Sequence, residues 1–276
     1  MTRISNLFIL LVVLFAGCTH KNPKALISPT GTTVKTRILP PESYHWQLEA
    51  KDSFGEFLQN ITVEPDGTPI LDFHGIPVCN QGKHVAVLNY DVGTKDLQQC
   101  AVAVLRLRAE YLYAQQRFDE IAFHFTSGDL FSWNDYKRGM RAVVNKNKVT
   151  FVQSAEPNDS YPNFRRYLDA LYMYAGTISL FLETEPILHD SLLKAGDIII
   201  TPGSPGHAVI IIGHALNTSG DHLFLLAEGL TPAQSIAVNT NPLEPDINPW
   251  YRLSVKSTVT TTANNVFLKT AIHAFR

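Results

Sequence analysis

A histidine opens an apolar run in the last third of the 276-residue chain. The segment 194–213 contains Gly196-Asp197, three isoleucines, a Gly/Pro-rich stretch, and then His207 followed by Ala-Val-Ile-Ile-Ile. This pattern predicts two strands joined by a tight loop, with His207 at the start of the second strand. Because an imidazole titrates near neutral pH, His207 is a candidate general base. The alternative is a structural histidine that bonds only to backbone.

Two hydroxyl side chains upstream are candidate nucleophiles for this base. Thr177 and Ser179 follow Gly176, which interrupts a predicted helix from Asn163 to about residue 183. A hydroxyl ionises far less readily than a thiol, so either residue would depend on His207 for its activation. Alternatively, they bond back to the preceding turn of the helix.

Cys100 is a third candidate nucleophile. It follows Asp96 and Gln99, which are spaced as a capping box and predict a helix beginning just after Asp96. Cys100 then lies on the apolar seam of that helix, which favours core packing over catalysis. Glu228 and Gln234 follow the next predicted strand, and either could orient the ring of His207.

The glycine-aspartate strand followed by the His207 strand resembles NlpC/P60 and related papain-like cysteine peptidases, over about residues 174–234. In those families the catalytic histidine opens a strand, a polar residue on the next strand orients it, and the nucleophilic cysteine begins an upstream helix. The resemblance implies an α+β fold with papain-like helices and an antiparallel sheet, preceded here by an N-terminal α/β extension. The upstream helix lacks cysteine, so Thr177 or Ser179 would stand near the position of the thiol.

Longer blocks resemble a family of bacterial envelope proteins, the domain of unknown function 4846. This resemblance extends over nearly the whole mature chain and implies an envelope location without implying an activity. The blocks are 93–100, 106–113, 174–180, 203–209 and 249–251.

The N-terminus has the pattern of an export signal. Arg3 precedes the apolar run Leu7–Ala16, which is too short to span the ~30 Å hydrocarbon layer. The run ends in Ala16-Gly17-Cys18, which resembles a bacterial lipobox. This implies that residues 1–17 are removed and that Cys18 is acylated, with Thr19 favouring the outer membrane and the periplasmic side. An ordinary secretory leader is the alternative.

Composition and charge restrict the remaining possibilities. The formal net charge is −2 and no basic block occurs, which argues against a nucleic-acid partner. Residues 18–43 contain four prolines and predict a flexible tether. Residues 44–276 then predict a single α+β domain, with lobes 44–155 and 156–276 as the alternative division.

The sequence predicts no cofactor and no metal centre. Cys79 and Cys100 could form one disulfide in an oxidising compartment or stay as two free thiols. Whether the protein is an enzyme stays open at this point. One hypothesis is a lipid-anchored papain-like protein that hydrolyses or transfers amide bonds in peptidoglycan or envelope peptides. The other is a non-catalytic module that binds peptidoglycan or an envelope protein on the same scaffold.

Overall fold

The computed structural model of the chain describes residues 26–146, 148–268 and 272–276. The predicted leader and Cys18 lie outside these residues. None of the helices within them combines the length and the hydropathy needed to cross a bilayer. The fold is mixed α+β with a mostly antiparallel central sheet, in agreement with the predicted class.

Six α-helices and fourteen strands are formed by the described residues. The helices are α1 Val34–Arg37, α2 Phe54–Gln59, α3 Cys100–Ala114, α4 Trp133–Lys137, α5 Tyr161–Tyr172 and α6 Thr177–Leu182. The strands are β1 Tyr44–Trp46, β2 His84–Val87, β3 Ala122–His124, β4 Leu130–Ser132, β5 Met140–Asn145, β6 Lys148–Gln153, β7 Thr184–Pro186, β8 Ile198–Thr201, β9 His207–Asn217, β10 His222–Glu228, β11 Ala237–Asn239, β12 Val259–Thr261, β13 Val266–Leu268 and β14 Ile272–Phe275.

Strand β9 is the centre of the main sheet. The strand order is β2-β11-β10-β9-β8-β14-β7, and the short β1 pairs with the far end of β9. The β8 strand pairs with residues 207–210 of β9, whereas β1 pairs with residues 215–217. Three separate hairpins, β3-β4, β5-β6 and β12-β13, flank this sheet.

Both faces of β9 are covered, which explains its continuous apolar sequence. Successive side chains of a strand point to opposite faces. Ile210 and Ile212 accordingly belong to the main core, which contains α3 and α5. Val209 and Ile211 belong to a second core, which contains Phe267 of the β12-β13 hairpin.

Several predicted element boundaries differ from the structure. Part of the predicted tether is folded, because α1 lies within it and Val34 and Ile38 are fully buried. The predicted helix from Asn163 to residue 183 is divided into α5 and α6. Residues 251–255 have the apolar pattern of a strand, but Tyr251 forms only an isolated bridge with Phe224. Long-range packing outweighs the local pattern at α1, whereas the division between α5 and α6 coincides with Gly176, which is the N-cap of α6.

Candidate active site

Cys100 is the first residue of α3, so its thiol lies at the N-terminus of the longest helix described. The expected capping box does not form. Asp96 Oδ1 instead accepts hydrogen bonds from the Ala233 amide at 2.7 Å and the Gln99 side chain at 3.1 Å. Gln99 is the N-cap residue, and the helix therefore begins later than the sequence predicts. This start moves Cys100 out of the apolar seam to a helix end, where the dipole favours a thiolate.

His207 and Glu228 come together across neighbouring strands. His207 opens β9 and Glu228 ends β10, which is paired antiparallel to β9. The ring Nε2–H of His207 donates to Glu228 Oε2 in a short hydrogen bond. The carboxylate is the acceptor in this contact, so the neutral ring carries its proton on Nε2 and leaves Nδ1 as an acceptor.

The Cys100 thiol lies beside the same imidazole and interacts with it. Burial opposes ionisation of the thiol, but the hydrogen bond and charge of His207 and the amides of Ala208 and Ala101 outweigh it and lower the pKa of Cys100. Burial also opposes the imidazolium, but hydrogen bonds and charges of Cys100 and Glu228 raise the pKa of His207 to about 9. The two shifts together favour a thiolate–imidazolium pair at neutral pH.

Two asparagines hold the carboxylate of Glu228. Asn239 at the end of β11 donates to Glu228 Oε1 at 2.6 Å, and Asn264 in the β12-β13 hairpin donates to the same oxygen at 3.0 Å. The Glu228 side chain is only 2% exposed, so these donors replace water around a buried carboxylate. Phe267 of the same hairpin packs against His207, with 5.7 Å between ring centroids.

The predicted hydroxyl nucleophiles are occupied in structural hydrogen bonds. Thr177 Oγ1 donates to the Gly203 carbonyl at 3.0 Å and accepts from the Gly203 amide at 3.1 Å. Ser179 is fully buried, and its hydroxyl bonds to the backbone of Gly176. Of the five predicted site residues, the structure brings Cys100, His207 and Glu228 together. Thr177 and Ser179 support the surrounding loops.

A cleft of about 510 Å³ opens on the Cys100 side of this group. Its walls include Cys100 at the start of α3, Gly176 and Thr177 at the start of α6, and the loop 203–206 between β8 and β9. A side chain at Gly206 would collide with Thr177 Oγ1 at 2.3 Å, which explains the glycine before the histidine. The thiol is therefore placed at the wall of an open groove.

An ion network centred on the buried Arg106 lies along α3. Arg106 is fully buried and donates to Gln98 Oε1 at 2.6 Å and to Asp91 Oδ2 at 2.9 Å. Glu110, one turn further along α3, lies 3.4 Å from the Arg106 guanidinium. These contacts tie the loop 91–98 to the body of α3 and so fix the start of that helix.

The structure also shows the surroundings of Gln234 and of the two described cysteines. Gln234 is buried but makes no hydrogen bond to His207, so Glu228 is the residue that contacts the ring. Cys79 and Cys100 are both free thiols. Across the described ranges, no group of three or more histidine, cysteine or carboxylate side chains is arranged to hold a metal ion.

The sequence offered no local signal for the two asparagines. Asn239 and Asn264 reach Glu228 from strands and loops that no spacing rule connects to it. Their role follows only from the order β11-β10 in the sheet and from the hairpin packed on its second core.

Comparison with known proteins identifies a family for the chain. A family model described as Domain of unknown function (4846) matches residues 34–273. The match covers most of the chain, which therefore belongs to this family. No curated protein and no solved structure shows significant similarity to the chain.

Proposed function

We propose that this member of the domain of unknown function 4846 family is a thiol-dependent enzyme on a papain-like scaffold, which hydrolyses or transfers amide bonds. Cys100 is the nucleophile, His207 the general acid and base, and Glu228 the group that orients the imidazole. The observation that carries the proposal is the convergence of thiol, imidazole and carboxylate, with Cys100 lining an open cleft.

The proposed reaction has two steps. The Cys100 thiolate attacks the amide carbonyl carbon, and the His207 imidazolium gives its Nδ1 proton to the leaving nitrogen as the C–N bond breaks. The resulting thioester is then attacked by water or by a second amine, whose proton passes to His207. A water yields hydrolysis and an amine yields transfer, and either attack restores the free thiol.

The start of α3 supplies a donor for the developing oxyanion. The first amides of a helix have no acceptor within the helix. Among the described residues the Cys100 amide has no backbone acceptor, whereas helical bonding begins with the Ala103 amide and the Gln99 carbonyl at 2.8 Å. A free amide beside the sulfur is well placed to stabilise negative charge on the carbonyl oxygen.

The proposed substrate follows from the proposed location. An acylated Cys18 would hold the domain in the cell envelope, on the periplasmic side of the outer membrane. The amide bonds within reach there belong to peptidoglycan peptides and to envelope proteins, so these are the proposed substrates and partners.

Release of muropeptides from purified peptidoglycan tests the activity. Wild type is expected to release soluble peptides, and Cys100→Ala and His207→Ala are expected to release none. His189→Ala, an exposed histidine outside the site, is the matched control and should behave as wild type. Release by Cys100→Ala at the wild-type rate would refute the thiol mechanism. Retention of peptidoglycan by a wild type that releases nothing would favour the non-catalytic binding module.

A further inference from the structure

A second cleft lies on the Glu228 side of the catalytic group. It measures about 490 Å³ and is lined by Glu228, Asn239 and Asn264 at one end. Thr231 lines both this cleft and the one beside Cys100. The two clefts are therefore adjacent. We call this second cavity the distal cleft.

The walls of the distal cleft are mainly apolar. Five side chains provide aliphatic surface: Ile70, Ile76, Val78, Leu230 and Pro232. A hydrocarbon side chain of a ligand would remove its apolar surface from water there.

Lys83 lines the distal cleft, is half-buried and makes no ion pair with any described residue. A ligand carboxylate would therefore meet a cation that has no competing partner there. The His84 ring is held by the Thr68 carbonyl at 3.2 Å from Nε2, and its Nδ1 is sealed from solvent, so this ring offers no contact to a ligand.

The placement of these groups is fixed by their neighbours. The side chain of Gln81 bonds to both the amide and the carbonyl of Ile70, each at 2.9 Å. The Thr240 amide donates to the Lys83 carbonyl at 3.0 Å. The cleft also contains two acidic residues. Asp72 accepts the amides of its own turn at 2.8 and 2.9 Å, and Glu228 accepts from His207, Asn239 and Asn264.

We infer that the distal cleft binds the C-terminal residue of a peptide. That residue presents one side chain and one carboxylate on a single unit. An aliphatic side chain matches the apolar walls, and the carboxylate matches Lys83. As a substrate subsite this inference rests on the proposed function, whereas binding itself does not.

Calorimetry on the full-length Cys100→Ala protein tests the inference without turnover. The probes are acetyl-Ala-Leu with a free carboxylate and the same dipeptide with a C-terminal amide. We expect the free acid to bind at least about tenfold more tightly than the amide, as a charge-assisted hydrogen bond predicts. Adding Lys83→Met should abolish this preference, Lys83→Arg should keep most of it, and Lys148→Met should leave it unchanged.

The outcomes separate the two proposals. Equal affinity for acid and amide, or an unchanged preference in a folded Lys83→Met protein, would overturn the distal subsite. If wild type still releases muropeptides in that case, the catalytic proposal stands. If the preference is found but no enzyme activity exists, the distal cleft is a peptide-carboxylate site of a binding protein.

Discussion

Ionisation of Cys100 depends on His207, and His207→Ala tests this dependence directly. Burial raises the pKa of the thiol, and His207 is the main group that lowers it. Without the imidazole, only the amides of Ala208 and Ala101 still lower this pKa. We therefore expect the pKa of Cys100 to rise in the variant. The thiol should react more slowly with an alkylating agent at any pH below its midpoint, because the thiolate is the nucleophile.

The magnitude follows from the coupling of the pair. Burial lowers the pKa of His207, but Cys100 and Glu228 outweigh it and raise the pKa from 6.5 to about 9, a net interaction of about 3 kcal/mol in favour of the imidazolium. Each tenfold loss of thiolate is offset by an approximately threefold gain in nucleophilicity of the more basic sulfur. If Cys100 holds between half and all of this interaction, alkylation slows by between about fourfold and about twentyfold.

The assay is the rate of iodoacetamide alkylation between pH 5 and pH 10, followed by intact mass. Cys18→Ser and Cys79→Ser form the background, so that Cys100 is the only thiol left. His189→Ala serves as the control for loss of a histidine. Superimposable pH profiles for this background with and without His207→Ala would refute the thiolate–imidazolium pair.

Four further outcomes are expected. Asn264→Ala removes one of two amide donors to Glu228 and should lower muropeptide release about three- to tenfold, with a melting temperature close to that of wild type; unchanged release would argue against a positioning role. Thr177→Val should slow release by loosening the loop 203–206 while leaving the alkylation profile of Cys100 unchanged, and a shifted profile would contradict this division of roles. Burial raises the pKa of Asp197 from 3.8 to about 7, so the protonated carboxyl contributes its full stabilisation below pH 3.8 and loses it as the pH rises through about 7. Chemical denaturation should show the free energy of unfolding falling by at most about 4 kcal/mol across this range, and the fall should be smaller in Asp197→Asn. Cys18→Ser should abolish palmitate labelling and release the protein from the membrane fraction, and continued sedimentation with membranes would contradict the predicted lipid anchor.

The sequence pattern was sufficient to predict the parts of the site that lie on strands. The apolar run after His207 predicts β9, and the next run predicts β10 with Glu228 directly after it; in the structure Glu228 is the last residue of β10. Both predictions depend on a local period of two and on tight connections, which are visible in a single sequence.

The role of Cys100 was harder to predict because the start of α3 is set by long-range contacts. Asp96 and Gln99 have the spacing of a capping box, but Asp96 caps the amide of Ala233, 137 residues away in the chain. The later helix start then places the thiol at the cleft. The roles of Asn239 and Asn264 were equally hard to predict, because only the tertiary fold brings these side chains to Glu228.

Acylation by p-nitrophenyl acetate tests the identity of the nucleophile most directly. The mechanism predicts a burst of about one nitrophenolate per chain, with the acetyl group mapped by mass spectrometry to Cys100 and absent after His207→Ala. An acetyl group on Thr177 or Ser179, or the absence of any burst from folded wild-type protein, would contradict the account.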